Sequence, residues 1–235
     1  MIVWIVGGYV RDTLMGLPSK DIDFAVEAPS FEAMVAEFVG RGFEIWQERP
    51  EFLTVRCHIP KGDALRLFGP KDADFVMCRS EGAYSDGRHP DEVVPGTIFD
   101  DLARRDFTMN AIAINPETKE MVDPHGGFAD IENRVLACVG SAQERFTEDA
   151  LRALRAIRFM HAKGLTPTND ILQALTSKWL PPLVVELPVE RVYEELRKIF
   201  TDPVRSLPLF MGTTTPDLRE AIFRDKMSLE PKIRG

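Results

Sequence analysis

Asp21-Ile22-Asp23 sets two carboxylates on either side of one apolar residue, at the start of a run, Asp21–Val26, that reads as a β-strand. Side chains alternate across a strand, so Asp21 and Asp23 project side by side while Ile22 turns the other way. Adjacent carboxylates repel, and burying them unpaired is costly. A divalent cation relieves both problems. Oxygen-only ligands suit Mg²⁺, which also binds nucleotide phosphates. In phosphoryl and nucleotidyl transfer, paired ions activate the attacking hydroxyl and stabilise the leaving oxygen. A solvated strand face also carries such acid pairs, so this triplet alone decides little.

Upstream, Ile2–Val6 reads as a buried strand stopped by Gly7-Gly8, with a short helix over about Tyr9–Met15 behind it. Backbone without side chains at a strand-to-helix turn lets phosphates approach N–H groups closely. A structural turn explains the glycines equally well, and the pattern is neither a Walker loop nor GxGxxG. The order Gly-Gly, Arg11-Asp12, Asp-x-Asp within 17 residues is more specific than any one part. Asp74, in Asp74-Phe75-Val76, is placed to add a third carboxylate to a metal site from a neighbouring strand; it also reads as a polar strand start.

Ser30 suits an N-cap. After it, Phe31, Met34, Val35, Phe38 and Val39 repeat as on a helix laid against a sheet. Strands are expected at Phe43–Trp46, Phe52–Ile59 and Ala73–Cys78, with irregular chain between Cys57 and Asp74. Residues 79–100 lack periodicity, and so long a loop is usually functional or disordered. The second half is helical: Thr147 is a candidate cap for a helix through about Ala162, Val189–Phe200 is amphipathic, and Thr215-Pro216 opens a last helix. The fold class expected is α+β, with a mixed or antiparallel sheet flanked by helices in a head over 1–140 and a helical part over 141–235.

The net charge is −8, which argues against a uniformly basic nucleic-acid binder but says little about a local patch. Residues 145–165 carry five Lys/Arg against Glu148 and Asp149, so a polyanion is expected there. Cys57, Cys78 and Cys138 sit apart in apolar runs without zinc spacing, which reads as reduced core thiols of a cytoplasmic protein. No apolar run approaches the roughly 20 residues of a membrane span, and the first residues do not suit a signal peptide.

Gly7-Gly8-Tyr9-Val10-Arg11-Asp12 followed by Asp21-Ile22-Asp23 resembles the first motif of the class II CCA-adding enzymes (tRNA nucleotidyltransferases) and their bacterial poly(A) polymerase relatives, within the polymerase-β-like superfamily. The resemblance implies that Asp21 and Asp23 bind the catalytic metal ions, and that Gly7, Gly8 and Arg11 face the triphosphate. Arg104-Arg105-Asp106-Phe107-Thr108-Met109-Asn110-Ala111 is similar to a second element, which implies ribose and triphosphate contacts for Arg105 and Asp106, supported by Asn110. Adjacent Arg and Asp with Asn can read hydroxyls and phosphates through charge-assisted hydrogen bonds; a surface ion-pair cluster is the plainer alternative. Asp123-Pro124-His125-Gly126-Gly127 resembles a hinge between head and neck, with Gly126 and Gly127 giving backbone freedom and His125 a loop histidine.

Glu148-Asp149-Ala150-Leu151-Arg152-Ala153-Leu154-Arg155 matches the element that in the family selects cytosine or adenine by hydrogen bonds. If one helix runs through it, Asp149 and Arg152 are an i, i+3 pair presenting an acceptor and donors together. By resemblance these two form the template, Arg155 supports it or the phosphates, and Glu190-Arg191 brace it. The resemblance covers most of residues 2–200 and describes a short form lacking most of the helical body and tail. It implies CTP, ATP and tRNA, or another RNA 3′ end, as partners and Mg²⁺ as cofactor. Among products, full CCA addition is expected, because residues 79–100 match a complete flexible loop; CC-only, A-only and poly(A) addition are the alternatives. A nucleotide- or RNA-binding protein without catalysis is the alternative of another class.

Overall fold

The computed structural model describes residues 1–19, 22–62, 69, 71–81 and 93–224. The chain forms two compact units, Met1–Asn133 and Arg134–Gly235.

The first unit begins with β1 (Ile2–Val6), α1 (Gly8–Leu14), β2 (Asp23–Glu27), α2 (Phe31–Gly40), β3 (Glu44–Arg49), β4 (Thr54–His58) and β5 (Asp72–Met77). It continues with β6 (Arg79–Glu81), β7 (Val93–Pro95), α3 (Ile98–Ala103), β8 (Ala113–Ile114), β9 (Met121–Val122) and α4 (Gly127–Glu132). Among the described residues the main sheet has the order β3-β4-β5-β2-β1-β8-β9. The β2–β5 pair is parallel and its neighbours are antiparallel, giving the mixed sheet expected.

Alternation decides which face is dry. Phe24 and Val26 of β2, Val55 and Cys57 of β4, and Ala73, Phe75 and Met77 of β5 all turn to one side and are buried. There α2 covers them with Phe31, Met34 and Phe38, the helical repeat legible in the sequence. Ser30 caps α2, its hydroxyl accepting from the Ala33 N–H at 3.1 Å. Phe24 stacks on Phe75 with ring centroids 4.7 Å apart, and Phe38 tilts against Phe75 at 4.6 Å. Burying each such ring contributes about 1.5–3 kcal/mol, which fixes the register of β2 on β5. The opposite face therefore receives Asp23 and Asp74.

The second unit holds β10 (Val135–Leu136), α5 (Ala142–Glu148), α6 (Leu151–Lys163), β11 (Thr166–Pro167), α7 (Asn169–Thr176), α8 (Leu180–Val185), α9 (Val189–Ile199), α10 (Pro203–Thr213) and α11 (Pro216–Ile222). It begins a few residues before the expected 140 because β10 pairs in parallel with β11, joining residues 135–136 to the helical unit. The expectation of one helix from a Thr147 cap is corrected. Ser141 caps α5, accepting from Glu144 N–H, and the chain breaks at Asp149, whose backbone is extended (φ −149°, ψ 103°). No helix among the described residues is long and apolar enough to cross a membrane.

Candidate active site

The strand-to-helix turn after β1 is held by geometry that only glycine adopts without strain. Gly7 has φ +73°, and a Cβ added there would stand 3.1 Å from Asp23 Oδ2 and 3.3 Å from Arg105 Nη1. The bare Gly7 backbone, the Asp23 carboxylate and the Arg105 guanidinium therefore converge on one spot. Asp23 is brought there by its pairing with Val6 at the end of β1. Ile22 packs towards the apolar core, so Asp23 faces away from it. Asp21 lies outside the described residues.

Asp74 stands one residue before Phe75, as Asp23 stands one before Phe24, and Phe24 and Phe75 are register partners. Both carboxylates thus leave the face opposite the stacked rings. Asp74 is engaged there by Arg56, whose Nη2 donates to Oδ2 at 2.7 Å while Nε reaches Oδ1. Among the described residues no group of three or more His, Cys, Asp or Glu is clustered for a metal. The donors present still suit Mg²⁺: Asp23 offers hard oxygens beside a space that a Cβ on Gly7 would fill.

Arg11, which the sequence reading sets facing a triphosphate, is held by protein groups in this structure. It is buried, and it turns inward. Its Nε and Nη2 bond both oxygens of Asp12 at 2.8 and 2.9 Å, and Nη1 donates to Asn110 Oδ1 at 2.8 Å. Asn110 Nδ2 donates onward to Asp106 Oδ1 at 2.8 Å, and that oxygen also accepts from the Phe107 N–H. Arg11, Asp12, Asp106 and Asn110 are all under 10% exposed, at 9, 9, 8 and 5%. A buried network of this kind is stable only when its members are satisfied. It ties α1 to the turn at Thr108–Asn110 and braces the glycine loop from behind.

Asp101 carries the arginine pair and is a residue the motif reading missed. It lies on α3, which Thr97 and Asp100 start with a capping box. Arg105 Nε and Nη2 donate to Asp101 Oδ2 at 3.0 and 2.7 Å, Arg105 Nη1 donates to the Asn110 carbonyl at 3.2 Å, and Arg104 reaches Asp101 Oδ1. Burial alone would raise the Asp101 pKa, but the Arg105 and Arg104 guanidiniums outweigh it and hold the carboxyl below its ordinary value. The signal was present: an Asp three and four residues before two arginines at a helix end.

Gly126 and Gly127, expected as a hinge, have fixed local reasons in this structure. Gly126 is left-handed (φ +71°) and begins α4. A Cβ on Gly127 would stand 2.1 Å from the Thr108 carbonyl oxygen, so only glycine lets α4 pack on that turn. Asp123 accepts from the Gly127 and Phe128 N–H groups at 2.8 and 2.9 Å. Both glycines lie inside the first unit.

In the second unit Asp149 sits at the α5–α6 break. Its Oδ1 accepts from the Leu151 N–H at 3.0 Å, and its carbonyl accepts from Arg152 N at 2.9 Å. Arg191 of α9 donates to its other oxygen at 2.8 Å. Arg152 pairs with Glu148 at 2.7 Å. The two candidate template residues therefore stand close together, each with a different ionic partner. Arg155 and Arg158 lie over the Phe159 ring at 5.7 and 4.4 Å. Glu190 is exposed. Glu195, missed in the sequence, is 3% exposed on α9 and meets Arg158 and Lys198 at 3.2 and 3.1 Å.

Residues 3–137 match the family described as the Poly A polymerase head domain. The chain belongs to that family. It is 36% identical over 213 residues to the CCA-adding enzyme of Geobacillus stearothermophilus, covering 89% of this chain and 48% of that one. It is 35% identical over 238 residues to the CCA-adding enzyme of Lactiplantibacillus plantarum, covering 96% and 54%. The chain thus spans about half the length of the curated relatives it matches. Among solved structures it is similar to the Bacillus stearothermophilus CCA-adding enzyme in complex with CTP, with TM-score 0.71 and 34% identity over 90% of this chain and 48% of that one. It is also similar to a tRNA nucleotidyltransferase complexed with a primer tRNA and an incoming ATP analog, with TM-score 0.70 and 28% identity over 95% and 59%.

Proposed function

We propose that the chain is an RNA nucleotidyltransferase that adds CMP and AMP, taken from CTP and ATP, to the 3′ end of tRNA as CCA. One observation carries this reading: Asp23 and Arg105 converge on the bare backbone of Gly7. A carboxylate suits a cation and a guanidinium suits phosphate, and both stand beside a turn with no side chain in the way. The relatives support the choice of substrate, since one solved relative is in complex with CTP and another with a primer tRNA and an incoming ATP analog.

The 3′-hydroxyl oxygen forms a bond to the α-phosphorus, the bond from that phosphorus to the bridging oxygen breaks, and pyrophosphate leaves; the hydroxyl proton passes to solvent. Asp21 and Asp23 would hold Mg²⁺, with Asp74, paired with Arg56 on the same sheet face, as a third candidate ligand. Mg²⁺, when bound, supplies positive charge that favours the ionised hydroxyl and the leaving group. Arg105, held by Asp101, orients the triphosphate, and Asp106 with Asn110 shapes the ribose position. Arg11 and Asp12 brace the glycine turn. In the second unit Asp149 and Arg152 read the base, with Arg191 fixing Asp149 and Arg155 supporting them. The buried thiols of Cys57 and Cys78 suit a cytoplasmic setting.

Purified chain is incubated with tRNA lacking its end, Mg²⁺, and CTP or ATP singly and together. CC from CTP alone and CCA from the pair are expected. A product stopping at CC in the presence of ATP, a single A, or a long A tail would replace the CCA assignment. RNA binding without release of pyrophosphate would replace catalysis by mere binding.

A further inference from the structure

Asp23 opens β2 and Glu27 closes it, and alternation puts both on the face turned away from Phe24 and Val26. Glu27 Oε1 accepts two bonds there. Trp4 of β1, which pairs with Ala25, donates its indole N–H at 3.0 Å, and the Ile98 N–H at the start of α3 donates at 3.0 Å. Trp4 is buried, and so are Ile98 and Leu102 on α3, which packs on β2. The backbone leading into α3 is seated as well. Gly96 N–H donates to the Cys78 carbonyl at 3.0 Å, and Cys78 N–H donates to the Val26 carbonyl at 2.7 Å. From this end α3 leads to Asp101 and on to Arg105, which Asp101 holds and which reaches the spot beside Gly7 and Asp23. Helix and strand therefore span the same interval. The four residues of strand from Glu27 to Asp23 cover about 13 Å. The seven residues from Ile98 to Arg105 rise about 10 Å at helical spacing, and the Arg105 side chain covers the rest.

Apolar packing is non-directional, so the contact of Ile98 and Leu102 with the sheet holds α3 down without fixing its place along the strand. A directed bond at one end fixes that place. We propose that Glu27 is a positioning residue: its carboxylate fixes α3 along β2 and thereby sets Arg105 against Asp23. The proposal rests on the nucleotidyltransferase reading for the role of Arg105 at the triphosphate. Glu27 stands at the far end of β2 from Asp23, so it acts through the helix and not on the substrate. One strand then supplies both the carboxylate for the cation and the anchor for the phosphate-binding group. The two groups keep their spacing because they share that strand.

The test compares the full chain with Glu27→Met, Glu27→Gln and Phe38→Leu. Three readouts are taken: KM and kcat for CTP on tRNA lacking its end, the calorimetric Kd of CTP with Mg²⁺, and backbone amide chemical shifts. Glu27→Met keeps the length of the side chain and loses its oxygens. Its KM and Kd for CTP are expected to rise about tenfold, the scale of one hydrogen bond to a charged group, with kcat within about threefold of the wild type. Glu27→Gln keeps a carbonyl acceptor and is expected to stay within about threefold in all three constants. Phe38→Leu loosens the core on the other face of the sheet and is expected to lower the melting midpoint while KM and Kd hold. The amides of Gly7 and of Ala111, which follows the carbonyl that Arg105 holds, are expected to shift in Glu27→Met and not in Phe38→Leu. Unchanged KM and Kd in Glu27→Met would overturn the proposal, as would an equal loss in Glu27→Gln or Phe38→Leu, or Gly7 and Ala111 amides that do not move. A wild type that neither binds CTP nor adds nucleotides sinks the transferase reading. The hold of Glu27 on Arg105 is then decided by the two amides: a shift in Glu27→Met supports it, and no shift overturns it.

Discussion

Arg105 closes on a single oxygen of Asp101 with both Nε and Nη2, at 3.0 and 2.7 Å, and its remaining Nη1 donates to the Asn110 carbonyl while lying 3.3 Å from where a Gly7 side chain would begin. The guanidinium is thus oriented from behind by a carboxylate that is 2% exposed. Asp101→Asn should keep the shape but remove the charge, leaving two arginines facing a neutral group. Breaking such a buried pair costs about 3–5 kcal/mol. The KM for CTP should rise well above any change in kcat, read by steady-state kinetics with melting followed in parallel.

The same carboxyl gives a pH dependence with a definite sign. Its folded pKa is depressed, so the unfolded state binds the proton more tightly. Its stabilisation is present above the unfolded Asp value near 3.9 and is lost as pH falls through the lower folded value. Acid unfolding of Asp101→Asn should therefore show a shallower loss of stability below about pH 4 than the wild type. Parallel denaturation curves against pH would show it.

Gly7→Ala combines a strained φ with a methyl 3.1 Å from Asp23 Oδ2. Strain of this kind costs about 1–3 kcal/mol, which a folded unit tolerates. Activity should fall at least a hundredfold while the thermal midpoint drops by only a few degrees. Gly126→Ala, also at positive φ but with nothing within 4 Å, should lose stability on a similar scale and keep activity.

Arg191→Ala should free one oxygen of Asp149 without removing its bond to the Leu151 N–H. The second unit should fold, and the ratio of kcat/KM for CTP over ATP should move towards one. An unchanged ratio would separate Arg191 from base selection.

Burial pushes the Cys57 thiol up to about 12, with Asp74 adding to it, and raises Cys78 as well. Neither should react with iodoacetamide at pH 8 in the folded chain, and both should react after denaturation, as mass spectrometry would show.

Much of the first unit was legible because burial and period agree there. The repeat from Phe31 to Phe38 and the alternation from Val55 to Cys57 both place their apolar groups on the core that forms. The second unit was harder to read. A heptad-like run from Glu148 to Arg155 looks continuous, yet Asp149 takes an N-capping part and breaks it, because its carboxylate satisfies the Leu151 N–H that a continuous helix would bond elsewhere. Helix α10 was hidden by Pro203 and Pro208; the first suits a helix start, and the second forfeits only one backbone bond on an exposed helix. At the site, sequence motifs named Arg11 but not its inward direction, since pointing depends on Asp12 and on Asn110, 99 residues away.

The most direct trial of the site is Asp23→Ala, followed by sequencing the 3′ ends of tRNA incubated with CTP, ATP and Mg²⁺. The wild-type chain should yield CCA ends and the variant none, with thermal melting of the two unchanged and EDTA abolishing wild-type addition. Full addition by Asp23→Ala, or by the wild type without a divalent ion, would contradict a metal-dependent transferase built on this carboxylate.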